Sequence, residues 1–263
     1  MKEFIEKLFE KEKYSENDRA IFDEFLNLLN TGKIRAAEKK DGIWTVNEWV
    51  KKGILVGFKM GKIVKTEKDY LDKDTFPIRR FGLNDKVRIV PQGSTIRSGS
   101  YIAKGVVMMP PAYVNTGCYV DEFTMLDSHS LVGSCAQIGK RVHLSAAAQI
   151  GGVLEPINAN PVIIEDEVFI GGNCGIYEGV IVKKRAIIAA GVIITSGTPV
   201  FDAVNDTFLE KVNGNIVIPE NAVVVSGSRV LKSNDKFHIY CPIIIKYRDE
   251  KSDTSVKLEE FLR

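Results

Sequence analysis

From Val90 to Ile150 every sixth residue is aliphatic or Met: Val90, Ile96, Ile102, Met108, Val114, Val120, Leu126, Val132, Ile138, Leu144 and Ile150. Four places after each stands something small or slim, from Ser94, Ser100 and Val106 through Ala136, Val142 and Ala148. Helices repeat near 3.6 residues and strands near 2, so a six-residue period belongs to neither. Self-similarity at this fixed period predicts a β-helix. The aliphatic residue points into a narrow prism and the small one lets the chain turn a corner. Glycine is frequent beside the corners, at Gly99, Gly105, Gly117, Gly133, Gly139 and Gly151. Three hexads make one coil, and coils stack at the strand spacing of roughly 4.8 Å, so about six to seven coils predict a rod of about 30 Å. Outward apolar residues such as Met109 and Tyr113 have no place inside so thin a prism, which predicts contact with another subunit.

The period breaks at 153–161 and resumes, shifted by two residues, at Ile164, Ile170, Ile176, Val182, Ile188, Ile194 and Val200. A polar excursion follows at 201–215, with turn chemistry at Asn213-Gly214-Asn215. Ile218, Ala222 and Val224 then read as one more turn of the same wall. Residues 1–86 ignore the hexad and predict a small α-rich or α/β domain. Its stripes are Phe4, Ile5, Leu8, Phe9 and Ile21, Phe22, Phe25, Leu28, Leu29. Ser15-Glu16-Asn17-Asp18 and Thr45-Val46-Asn47-Glu48 resemble capping boxes. Gly53 reads as a helix stop, Ile54 to Phe58 as a strand, and Met60-Gly61-Lys62 as a turn. The expected division is an N-terminal domain 1–86, a β-helix 87–230 with insertions at 153–161 and 201–215, and a C-terminal extension 231–263. That extension carries a β-rich run at Ile243-Ile244-Ile245 and a short terminal helix at 254–263.

Thirty-six Lys and Arg against 34 Asp and Glu, intermixed throughout, argue against a nucleic-acid partner. Cys118, Cys135, Cys174 and Cys241 show no CxxC spacing, and Cys118 and Cys174 fall on small core positions. They read as reduced thiols rather than disulfides or a zinc site. The charged N-terminus has no signal-peptide core, and no stretch approaches the roughly 18 apolar residues of a membrane span. A cytoplasmic protein with no membrane partner is expected. His129, His143 and His238 are the three histidines, and 129 and 143 are not at matched hexad positions, so no metal site is expected.

Asp127 follows the inward Leu126 and points out of the prism, where a carboxylate can accept or orient a proton. Asp121 stands at the same hexad position, so a plain turn role stays open for both. His129 lies two residues on, and an extended backbone puts it on the same outer side as Asp127. Arg88 precedes the prism and offers a planar cationic fork for a carboxylate. Lys232, Lys236 and Lys246 read as solvated lysines, and no phosphate-cradling loop is present; the residues that contact a cofactor are not legible.

A longer pattern adds to this. Tyr113-Val114-Asn115, Tyr119-Val120-Asp121-Glu122 and Met125-Leu126-Asp127 lead into Val132-Gly133-Ser134-Cys135-Ala136-Gln137-Ile138-Gly139-Lys140 and Val142-His143-Leu144-Ser145. Gly151-Gly152-Val153-Leu154-Glu155-Pro156 and Ala159-Asn160-Pro161 continue it. Ala37-Glu38-Lys39, Gly42, Trp44 and Trp49-Val50-Lys51-Lys52 agree upstream, and Val223-Val224-Val225-Ser226-Gly227 and Tyr240-Cys241 downstream. Together these resemble the tetrahydrodipicolinate N-succinyltransferases of the hexapeptide acyltransferase superfamily, over nearly the whole chain from about residue 30.

The resemblance implies a mainly β fold, a left-handed parallel β-helix, in a homotrimer whose acyl-donor sites lie between neighbouring prisms. It implies transfer of a succinyl group from succinyl-CoA, a co-substrate rather than a resident cofactor, to the amine of ring-opened tetrahydrodipicolinate. It places a substrate-contacting aspartate and candidate base on Asp127, and a substrate-binding arginine on Arg88, within Arg88-Ile89-Val90-Pro91. A second active-site glutamate, found in some members, falls on Gly175 here, so Glu178 or His129 is the candidate assistant. Two other readings of the residues stay open. One is a CoA-dependent hexapeptide O- or N-acyltransferase with His143 or His129 as base; the other is a non-catalytic β-helix scaffold.

Overall fold

The six-residue period closes into a three-faced parallel β-helix in the computed structural model, which describes residues 1–66 and 69–249. The first face stacks Arg88–Ile89, Val107–Met108, Met125–Leu126, His143–Leu144, Phe169–Ile170, Ile187–Ile188 and Ala222–Val225. The second stacks Thr95–Ile96, Tyr113–Val114, Leu131–Val132, Gln149–Ile150, Gly175–Ile176 and Ile193–Ile194. The third stacks Tyr101–Ile102, Tyr119–Val120, Gln137–Ile138, Ile163–Ile164, Val180–Val182 and Asn215–Ile218. Beyond the first strand, whose Ile89 stays exposed at the open end, the second residue of each two-residue strand faces inward, and Val114, Val120, Val132, Ile138, Leu144 and Ile150 are completely buried. Each such side chain contributes roughly 1.5–3 kcal/mol on burial. At the corners the backbone enters the left-handed region at every sixth residue, with φ of 59, 62, 70, 53 and 59° at Phe123, His129, Cys135, Arg141 and Ala147.

One step of the ladder differs from expectation. Arg88 stands opposite Val107, nineteen positions on, whereas Val107 stands opposite Met125, eighteen on. Ile89, rather than Val90, therefore takes the position aligned with inward Met108. The extra residue is absorbed near Gln92 and Gly93, where φ is 81 and 89°. The break at 153–161 leaves the register intact on both sides, since Gln137–Ile138 pairs directly with Ile163–Ile164. The expected extra turn is present: Val180–Val182 pairs with Ile216–Ile218 and Ile187–Ile188 with Val223–Val224. Strand Ile243–Tyr247 extends the first face, antiparallel to Ala222–Val225 and parallel to Phe201–Asp202. The terminal helix expected at 254–263 lies outside the described residues.

The N-terminal unit runs α1 (Lys2–Phe9), α2 (Glu16–Asn30), β1 (Ala37–Lys40), β2 (Ile43–Val46) and α3 (Glu48–Met60). The box at Ser15 forms: its Oγ accepts from the Asp18 N–H at 3.3 Å, and Asp18 Oδ2 accepts from the Ser15 N–H at 2.9 Å. The box expected at Thr45 does not form, because Thr45 pairs with Glu38 in the β1–β2 hairpin. That hairpin turns at Asp41-Gly42, with φ of 49 and 80°, the Asp-Gly pair that favours a tight hairpin turn. The strand expected at 54–58 is helix instead. Gly53 is not a stop; a Cβ there would stand 2.4 Å from the Phe25 ring, and one at Gly57 2.5 Å from the Phe22 and Phe76 rings. Both glycines are clearance for aromatic packing.

The unit's core of Ile5, Phe22, Phe25, Val50, Ile54 and Phe76 reaches across to Cys135 of the prism, and Leu154 packs against it. Lys51 is fully buried in this seam. Its Nζ donates to the carbonyls of Pro156 at 3.1 Å and Ala159 at 2.9 Å, tying the 153–161 segment to α3. All four cysteines are free and buried, and burial pushes the Cys135 thiol up to about 12, as expected of packing residues.

Candidate active site

Asp127 follows Met125–Leu126 at the corner leaving the first face. Its N–H donates to the Leu144 carbonyl at 2.9 Å, which fixes the backbone to the next coil. Its Oδ1 accepts from the Ser128 N–H at 2.7 Å. Oδ2 lies 4.0 Å from His143 Nε2, with the carboxylate a third exposed and the imidazole mostly covered. His143 stands directly opposite Met125 in the next coil, and Phe169, one coil further, meets its ring edge-on at 5.1 Å between centroids. A carboxylate and an imidazole are thus neighbours at this corner, too far apart for a hydrogen bond, and the carboxylate is the more exposed of the two, open to an incoming amine.

His129, one of the two candidate assistants to Asp127, stands at the turn rather than on the outer side beside it. His129 has φ of 62°, so the chain turns instead of continuing extended. Gln149 Nε2 donates to the His129 carbonyl at 3.0 Å, and the residue lines a cleft with Tyr113, Leu131 and Gln149 on the second face. Among the described residues it forms no ion pair with Asp127. The signal for His143 was present in the sequence: it lies one 18-residue coil from Met125, so it stacks beside the residue two before Asp127.

Arg88 is exposed at the start of the first face, its N–H bonded to the Val106 carbonyl at 2.9 Å. It belongs to the outward column of Val107, Met125 and His143, two strand spacings or roughly 10 Å from Met125. Glu178 is exposed and follows Gly175–Ile176 of the second face, at a different corner from Asp127. Gly175 is buried under the Tyr177 ring; a Cβ there would meet that ring at 2.6 Å and Ile193 Cδ1 at 2.9 Å. Any larger residue at 175 requires Tyr177 to move. Lys246 is partly exposed and pairs with Asp249 at 3.3 Å.

Two family models match the chain: the N-terminal region of tetrahydrodipicolinate N-succinyltransferase over residues 1–60 and the hexapeptide repeat of succinyl-transferase over residues 161–196. Full-length relatives decide the matter. The 2,3,4,5-tetrahydropyridine-2,6-dicarboxylate N-succinyltransferase of Sodalis glossinidius is 41% identical over 258 residues, covering 93% of this chain and 89% of the relative. The chain belongs to the tetrahydrodipicolinate N-succinyltransferase family. Members from Acinetobacter baylyi and Nitrobacter hamburgensis are similar at 43% and 42% identity, each over 93% of this chain and 89% and 90% of their own length. The coils are accordingly those of the left-handed parallel β-helix of hexapeptide acyltransferases, and the Asp127–His143 corner belongs to an N-succinyltransferase scaffold.

Proposed function

We propose that the protein transfers a succinyl group from succinyl-CoA to the amine of L-2-amino-6-oxopimelate, the water-opened form of tetrahydrodipicolinate, in diaminopimelate and lysine biosynthesis. The observation that carries this reading is the similarity to N-succinyltransferases along nearly the whole chain. The amine attacks the thioester carbonyl, nitrogen–carbon bond formation gives a tetrahedral oxyanion, and its collapse expels the CoA thiolate. The nitrogen must lose a proton on the way. In this reading Asp127 accepts or orients that proton and returns it to the departing sulfur, while His143, 4.0 Å from its Oδ2, flanks the carboxylate. Arg88 anchors a substrate carboxylate through its guanidinium fork.

The protein acts as a homotrimer in the cytoplasm, binding no cofactor permanently. Glu178, at another corner of the prism, joins Asp127 in one site only if a neighbouring copy supplies it. The test is Asp127→Asn beside Asp127→Ala. Both are expected to lose at least 100-fold in kcat while sedimenting like the parent, since general-base groups contribute about 10²–10⁴-fold. Near-parental kcat in either variant removes Asp127 from the mechanism.

A further inference from the structure

The third face of the prism carries the N-terminal unit, and the seam between them holds an arginine with more donors than partners. The Arg35 guanidinium carbon lies 3.5 Å over the Tyr119 ring and 5.7 Å from the Trp44 ring centroid. Its Nε donates to Gln137 Oε1 at 2.9 Å, and Tyr119 is itself backed by Tyr101, with centroids 4.7 Å apart. The group is therefore fixed in place. Yet a guanidinium has five N–H donors, and among the described residues none accepts from its Nη atoms.

Across the gap stand Asp121 and Asp166, both lining the same cleft. Each has one oxygen committed to a backbone amide, Asp121 Oδ1 to Glu122 and Asp166 Oδ1 to Lys140, both at 2.8 Å. Among the described residues nothing donates to their Oδ2 atoms. Neighbouring Glu165, by contrast, is fully engaged, by Lys39, the Trp44 indole and the Lys184 N–H. Asp121 and Asp166 are close enough for their charge to act on Arg35, but neither forms an ion pair with it. Opposite charges in a partly desolvated seam gain strongly by closing to contact. Here the stacking on Tyr119 and the bond to Gln137 hold the guanidinium back, leaving a cleft of about 180 Å3 between cationic and anionic walls.

We infer that this cleft binds a small α-amino acid, its carboxylate on the Arg35 Nη atoms and its ammonium between Oδ2 of Asp121 and Oδ2 of Asp166. Lys140 acts on both carboxylates from a distance and Lys39 and Lys184 line the cleft rim, but among the described residues no cation contacts either Oδ2; a bare anion would leave those oxygens unmet and a bare amine would leave the guanidinium unpaired, whereas a zwitterion satisfies both walls. The space between the two poles suits an amino acid as small as glycine or alanine. The binding poles are preorganised, so little ordering opposes binding. Because one wall belongs to the N-terminal unit and the other to the prism, the ligand bridges the two and stabilises their seam by mass action. The cleft sits beside the third face, apart from the Asp127 corner, and the inference goes beyond the proposed reaction.

The test is calorimetric titration of the full chain, without succinyl-CoA, using glycine, L-alanine, acetate and methylammonium. Saturable binding of both amino acids is expected, with acetate and methylammonium weaker by about tenfold or more, the loss of one charge-assisted contact. Asp166→Asn and Asp121→Asn on the prism wall, and Arg35→Lys, each weaken alanine binding by about tenfold or more, while succinyl transfer stays at the parental rate. Absence of amino-acid binding at millimolar concentration overturns the inference. So does binding that Asp166→Asn and Asp121→Asn leave unchanged, or acetate binding as tightly as alanine. Because binding is read without the acyl donor, its failure leaves the transfer reading intact, and an inactive enzyme that still binds alanine leaves this one intact.

Discussion

Gly53→Ala sets two physical effects against each other in the middle of α3. Helix propensity favours alanine over glycine by about 1 kcal/mol in a helix interior. Packing opposes it, because the added Cβ would lie 2.4 Å from Phe25 Cζ and 2.8 Å from its two neighbouring ring carbons. Phe25 is completely buried, so the ring has no free space to enter, and overpacking of this kind costs about 1–3 kcal/mol. Moving the ring also disturbs its edge contact with Trp49, now at 6.1 Å between centroids and 65°, a pair worth about 0.5–1.5 kcal/mol. The balance is a net destabilisation of about 2 kcal/mol, opposite in sign to propensity. The only two tryptophans, Trp44 and Trp49, both lie in this unit, so their fluorescence during urea unfolding reports on it selectively. With a slope of about 2 kcal/mol/M the midpoint falls by about 1 M. An unchanged or raised midpoint would refute the claim that Gly53 exists to clear Phe25.

Three further outcomes follow from single contacts. Lys51→Met removes the buried ammonium and its bonds to Pro156 and Ala159, each worth about 1.5–3 kcal/mol, against a released desolvation penalty of several kcal/mol. Global stability therefore changes little while amide exchange within 157–160 speeds up; unchanged exchange there would show that the segment holds itself. Burial pushes the Asp202 carboxyl up, but bonds from Tyr247 at 2.7 Å and Asn205 at 2.7 Å outweigh it and hold the group below the ordinary range. Its stabilisation is present above about pH 4 and is lost as pH falls through the lower folded value, so Asp202→Asn should flatten the acid limb of the stability curve. Burial, then Asp202, pushes the Tyr247 hydroxyl up to about 12; that contribution is full below about pH 10 and fades as pH rises through the folded value. Tyr247→Phe should remove the corresponding alkaline loss, and a parental alkaline limb would contradict the assignment.

The prism was legible because its period is enforced by geometry: each coil must present one side chain inward at every corner-to-corner step, so Ile96 through Ile150 declare the fold without reference to partners. What escaped the sequence depended on contacts distant along the chain. Gly53 and Gly57 look like helix breakers until Phe22, Phe25 and Phe76 are seen against them. Val90 fits the arithmetic of the hexad, yet the bulge at Gln92-Gly93 shifts the first coil by one residue. His129 is close to Asp127 in sequence, but a left-handed corner directs the chain away, while His143 arrives from the next coil. Arg35 gave no local signal at all, because its partners Tyr119 and Gln137 become neighbours only once the N-terminal unit is laid on the third face.

Thiol release from succinyl-CoA, followed with and without tetrahydrodipicolinate, reads the transfer reaction itself. Release that depends on the acceptor and matches N-succinyl-2-amino-6-oxopimelate mole for mole is expected. Release indifferent to the acceptor, or none with it while another acyl-CoA and a hydroxyl acceptor react, would contradict the proposed transfer.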